Sequence, residues 1–120
     1  MSIAARQQTS EHKLQTMVVD YLNVAAAPGV FAFAVPNAAR RSYSIAARMK
    51  NEGLMSGVAD LCVLLPAGRV GWLEMKTLKG RQSVEQKAFQ ARCLRLNHPY
   101  AVAKTFDEAV KVLRLWGALK

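Results

Sequence analysis

Apolar residues along the chain switch repeatedly between helical spacing and strand-like runs, and the order of those switches gives the fold class. After Thr9 and Ser10, the residues Leu14, Met17, Val18, Tyr21 and Leu22 recur at three and four positions, which predicts a helix from about Ser10 to Ala25. Pro28-Gly29 makes a turn, and Val30 to Val35, bulky and small in alternation, reads as a short strand that Pro36-Asn37 stops. The stretch from Ala38 to Glu52 is helix-compatible and ends at Gly53, where a C-cap fits. Two apolar runs, Val58 to Leu65 and Arg69 to Lys76, are joined by Pro66-Ala67-Gly68 and read as a hairpin. Ser83 then opens a helix with Gln86 at its third position, the spacing of a capping box, and its apolar residues run to about Asn97-His98-Pro99. Tyr100 to Ala103 forms the last strand and Phe106 to Trp116 the closing helix. This order predicts a small mixed α/β domain in which a hairpin supplies antiparallel strands and the helix from Ser83 crosses to a final strand.

Length and charge narrow the class. At 120 residues the chain is expected to be one domain, residues 1–9 being flexible, that buries roughly two thirds of its unfolded surface without disulfide or structural metal. An apolar share of 52% is above that of disordered chains. Cys62 and Cys93 are too far apart in sequence and too few for a disulfide framework or a zinc site, and are expected to be reduced core residues. The first eight residues lack the apolar stretch of a signal peptide, and the most apolar segment, Val24 to Val35, is short and broken by Pro28-Gly29. A cytoplasmic protein with no membrane association is the expectation. Seventeen Lys and Arg against eight Asp and Glu give a formal charge of +9, which favours polyanionic partners.

The acids carry more information than the bases because they are scarce. Asp60 and Glu74 sit inside the two apolar hairpin runs, where a carboxylate is costly to desolvate unless it is paired or binds a cation. Side chains alternate along a strand, so Glu74 and Lys76 share one face with Met75 on the other, and Asp60 on the paired strand can share the face of Glu74. Two adjacent carboxylates suit a hard cation such as Mg²⁺, which keeps waters of its own. Lys76 could orient or deprotonate an attacking water, or stabilise charge on a phosphate. The plainer alternative is an exposed Glu74–Lys76 ion pair, which contributes little. Glu11 falls on or beside the buried face of the first helix, and read alone it is an acid placed to favour the helix dipole. The basic clusters at Arg40, Arg41 and Arg48 and at Lys79 and Arg81 are solvated faces singly and a phosphate-contacting surface as a group.

Four blocks, taken in order, resemble the VRR-NUC family of the PD-(D/E)XK nuclease superfamily, in particular its small stand-alone members of bacteriophages and bacteria. They are Val35-Pro36-Asn37 with the arginines that follow; Gly53-Leu54-Met55-Ser56-Gly57-Val58-Ala59-Asp60; Leu73-Glu74-Met75-Lys76-Thr77; and Gly80-Arg81-Gln82-Ser83-Val84-Glu85-Gln86. The resemblance implies a restriction-endonuclease-like core, a mixed sheet flanked by helices. It implies that Asp60, Glu74 and the Met75 carbonyl bind Mg²⁺, with Mn²⁺ as a substitute, and that Lys76 is the catalytic lysine. It also implies that Glu11 reaches the metal directly or through water and that Gln86 is an active-site glutamine; beside it, the basic clusters make Asn37, Arg40, Arg41, Arg48, Lys79 and Arg81 the expected nucleic-acid contacts. Ala59 departs from the pattern, since the family usually has proline there. The implied activity is a homodimeric endonuclease cutting branched DNA such as four-way junctions. Two other readings stay open: a basic nucleic-acid-binding protein whose Asp60 and Glu74 merely pair with lysines, and a nuclease of ordinary duplex DNA or RNA.

Overall fold

Three of the helices begin at a side chain that supplies a partner for the unpaired backbone N–H groups. The computed structural model describes residues 10–36 and 43–120. Ser10 caps helix α1 (Glu11–Ala25) by accepting from the Lys13 N–H, as Ser83 caps α3 (Val84–Arg95) and Thr105 caps α4 (Phe106–Leu115). Helix α2 (Tyr43–Asn51) ends as its sequence leads one to expect: the Gly53 N–H donates to the Lys50 carbonyl and the Leu54 N–H to the Met49 carbonyl, the two bonds of a Schellman motif. Its expected beginning at Ala38 lies outside the described residues.

The strands are β1 (Phe31–Ala34), β2 (Leu61–Leu64), β3 (Val70–Met75) and β4 (Tyr100–Ala103), and they lie in that order in one sheet. The first three are antiparallel neighbours and β4 runs parallel to β3, reached through the α3 crossover. The β2–β3 hairpin closes through a single 3₁₀ turn, Pro66–Gly68, with the Leu65 N–H donating to the Arg69 carbonyl at 2.9 Å.

The core lies on one side of the sheet. Leu61, Val63, Leu73 and Met75 project from it to meet Leu14, Val18 and Leu22 of α1 and Ala109 and Leu113 of α4. Trp116 closes this layer with its ring against Gly71, so close that a Cβ at Gly71 would lie 2.5 Å from the indole. The other sheet face, bearing Cys62, Trp72, Glu74 and Tyr100, meets α3 over β3 and β4, where Phe89 packs edge-on against both Trp72 and Tyr100. Both cysteines are free and buried, as their isolation in the sequence suggested. Over β1 the bulky residues of the alternation turn outward: Phe31 is 61% and Phe33 44% exposed, with Leu64 of β2 beside them.

Two sequence expectations are corrected. The first hairpin strand starts at Leu61, not Val58, and the second stops at Met75, so Asp60 and Lys76 lie just beyond the paired segments. The cause is tertiary: the register would pair the Met75 N–H with Ala59, but the Asp60 side chain takes that N–H, while the Asp60 carbonyl faces β1 and accepts from Val35.

Candidate active site

Where the β2–β3 ladder ends, the Met75 N–H is left without a strand partner, and the Asp60 side chain takes it. Oδ2 of Asp60 accepts this bond at 2.6 Å. In an extended strand the N–H and C=O of one residue point to the same side. The Met75 carbonyl is therefore turned toward the Asp60 side of β3, the place a third oxygen ligand would need. Ala59, which departs from the proline of the family pattern, is fully buried.

Glu74 is the residue the site closes around. It is fully buried on the face covered by α3. Oε2 accepts from the Gln86 amide nitrogen and lies 3.6 Å from Lys76 Nζ, whereas Oε1 is buried with no hydrogen-bond partner. Burial, followed by repulsion from Asp60, pushes the Glu74 carboxyl up to about 7, against the pull of Lys76 and the further push of Glu11. Asp60 is raised for the same leading reason, burial, opposed by the Met75 N–H, with Glu11 raising it further and Lys76 lowering it. The pair thus disfavours its own ionised state.

The remaining expected residues arrive from several directions. Glu11, exposed in the first turn of α1, is close enough for its charge to act on both Asp60 and Glu74, yet it completes no ready-made trio. Among the described residues no three His, Cys, Asp or Glu side chains are grouped to hold an ion. Gln86 serves the capping box and the site at once: its Oε1 accepts from the Ser83 N–H at 2.8 Å while its Nε2 donates to Glu74. Arg48, Lys79 and Arg81 are exposed, the last two on the loop between Lys76 and Ser83. Asn37, Arg40 and Arg41 lie outside the described residues.

Three features were not legible as parts of a site. Gln82 Nε2 donates to the Tyr100 hydroxyl at 3.1 Å, leaving the phenol proton free for another acceptor. Burial, then the Glu74 charge, push that hydroxyl well above the usual tyrosine range, so it stays protonated. Gly57, with φ of +86°, lies directly on the first turn of α3: an added Cβ would sit 2.4 Å from the Glu85 carbonyl carbon and 2.7 Å from the Gln86 nitrogen. The sequence offered only the glycine itself as a signal.

The residues present fit a hard cation. Asp60, Glu74 and the Met75 carbonyl form an all-oxygen donor set, and the partnerless Glu74 Oε1 is an acceptor that a cation would satisfy.

Among solved structures, one described as a VRR_NUC domain protein matches with a TM-score of 0.76 at 19% identity, covering 94% of this chain and 98% of its own. A second, described as a VRR_NUC domain, matches with a TM-score of 0.62 at 22% identity over 88% and 96%. No protein-family profile and no curated protein matches the chain. At these identities the likeness is one of architecture, and it covers nearly the whole chain: a mixed four-stranded sheet flanked by helices, the VRR_NUC domain fold.

Proposed function

We propose that the protein is a metal-dependent endonuclease of VRR-NUC type that hydrolyses phosphodiester bonds in DNA, with branched DNA as its preferred substrate. One observation carries the reading: a buried glutamate, its pKa raised by burial and then by a second carboxylate, has one oxygen near a lysine and keeps the other without a partner. A structural ion pair has no use for such an oxygen, since an unsatisfied buried acceptor costs about 1–3 kcal/mol. The simple pairing of both acids with lysines is also disfavoured, because Asp60 spends Oδ2 on the Met75 N–H.

In this reading Asp60, Glu74 and the Met75 carbonyl hold Mg²⁺ or Mn²⁺, with Glu11 adding negative charge from α1. The bound cation would supply polarisation of the scissile phosphate and acidify water. Lys76, 11% exposed and held by Glu74, presents its ammonium at the mouth of the site, where it can orient water or offset charge building on the phosphate. Tyr100, kept protonated and supported by Gln82, offers a neutral hydrogen-bond donor. Arg48, Lys79 and Arg81, with Asn37, Arg40 and Arg41, supply contacts to the DNA backbone.

A symmetric junction requires two cuts and one domain offers one site, which favours a homodimer. The exposed apolar strip of Phe31, Phe33 and Leu64 is surface that a second copy could cover. Among the described residues no helix is long and apolar enough to cross a membrane.

The test is cleavage of four-way, flapped and linear DNA and of RNA across Mg²⁺ and Mn²⁺ titrations, with Glu74→Ala as control. Metal-dependent cutting fastest on branched DNA and absent in the control is expected. Wild-type protein that leaves all substrates intact would exclude the enzyme, and equal rates on linear duplex would remove the branched preference.

A further inference from the structure

The amide of Gln86 has two polar ends and two different neighbours, and only one orientation satisfies both. Its oxygen faces the Ser83 backbone N–H at 2.8 Å, and its nitrogen faces Glu74 Oε2. Rotating the amide by half a turn would set oxygen against carboxylate and NH₂ against N–H, losing both bonds and adding repulsion. The Ser83 hydroxyl, accepting from the Gln86 N–H at 3.1 Å, closes the box and holds the first turn of α3 in register. The same turn rests against Gly57, on the loop that leads to Asp60. The helix cap and both acidic residues are thus mechanically one unit.

We propose that Ser83 is a positioning residue of the site: the Ser83–Gln86 capping box fixes the Gln86 amide so that its nitrogen always claims Glu74 Oε2, which leaves Oε1 as the oxygen presented to a cation. The helix cap decides which carboxylate oxygen is free. This rests on the metal-binding reading for what Oε1 meets, but the orientation of the amide belongs to the metal-free protein and is tested there.

Two measurements on the full-length protein separate the two claims. In the metal-free protein, ¹⁵N relaxation of the Gln86 side-chain amide is expected to show a rigid NH₂ in wild type and in Ser83→Thr, and a mobile one in Ser83→Ala. In calorimetric titration with Mn²⁺, Ser83→Ala is expected to bind about 10-fold more weakly than wild type, the low end of what loss of a ligand's supporting contact produces. Ser83→Thr should bind as wild type does. Ala88→Gly, an exposed position in the same helix, lowers helix stability without touching the box and should leave affinity unchanged. A Gln86 amide equally rigid in Ser83→Ala overturns the proposal, whatever the metal result. So does wild-type affinity in Ser83→Ala when Glu74→Ala has lost binding. An Ala88→Gly loss equal to that of Ser83→Ala overturns it too, by showing that only helix stability matters. If wild type binds no Mn²⁺ while the Ser83→Ala amide loosens, the metal reading fails, and with it the claim that Oε1 serves a cation; the orienting role of the box is retained.

Discussion

A carboxyl group buried beside another carboxylate makes the apo protein sensitive to pH in a direction opposite to the usual acid. Glu74 has an ordinary value of 4.5 and is raised to about 7 in the folded protein. Between those values the folded chain holds a proton that the unfolded chain has released. Its contribution to stability is therefore complete below pH 4.5 and is lost as pH rises through about 7. At about 1.4 kcal/mol for each pH unit between the two values, the loss is about 3 kcal/mol. Asp60, raised in the same direction, adds to it. Thermal melts in EDTA should show Tm falling by about 10 °C from pH 4.5 to 8, and Glu74→Gln, which cannot ionise, should flatten most of that fall. A wild-type profile that is level or rising over this interval contradicts the placement of Glu74. Lys76 makes a separate prediction, since it is no part of the oxygen donor set. Lys76→Met should lower the cleavage rate by roughly 100-fold or more while metal affinity is kept or improved, because a positive charge near the cation is removed. Loss of metal binding in that variant would assign Lys76 to holding the acids rather than to the chemistry.

At the scale of elements, the site depends on how two short segments meet. Gly57 bears on the backbone of Glu85 and Gln86, which cannot move aside as a flexible side chain can. Gly57→Ala should therefore cost about 3 kcal/mol or more, from the positive φ and the clash together. Gly29 has nearly the same φ, +82°, with nothing within 4 Å of an added Cβ. Gly29→Ala should cost only about 1–2 kcal/mol, the backbone part alone. Chemical denaturation of the two variants checks this, and equal costs would mean that the loop does not rest on α3. The same pair shows which parts of the fold a sequence can reveal. The hairpin turn, the capping box and the Schellman end at Gly53 are decided by residues within one turn of each other, so Pro66-Ala67-Gly68, Ser83 with Gln86, and Gly53 announce them. The start of β2 is decided by a partner distant in sequence, the Asp60 side chain taking the Met75 N–H that the strand register would give to Ala59. No alternation of apolar and polar residues contains that information. Glu74 and Lys76 could be placed on one face from spacing alone, but the double duty of Gln86 and the bond from Gln82 to Tyr100 needed the crossing of α3 over the sheet.

Over the whole molecule the charge is strongly one-sided, and the site is the exception to it. The formal charge is +9, yet three of the eight acidic residues, Asp60, Glu74 and Glu11, gather close enough to act on one another, so on the proposed reading a basic surface surrounds a site whose acids ionise fully only when a cation is bound. The loop from Thr77 to Gln82 stands at that boundary. It is tied down by the Gly80 N–H on the Thr77 carbonyl at 3.0 Å and by Gln82 on Tyr100, and it presents Lys79 and Arg81 to solvent. On the proposed function, residues so placed would meet phosphates flanking the cleaved bond rather than the bond itself. Neutralising one phosphate changes the slope of log K against log salt by about one. The double variant Lys79→Ala/Arg81→Ala should thus bind DNA more weakly by a similar factor on every substrate and lower the magnitude of the salt slope by about 2. Its Mn²⁺ affinity should match wild type, since neither residue touches Asp60 or Glu74. Fluorescence anisotropy over a salt series in EDTA, with junction and linear duplex in parallel, measures both quantities. An unchanged slope would remove this loop from the DNA surface. A loss confined to the junction would instead make the loop the reader of branched structure, and the uniform phosphate contact argued for it would be wrong.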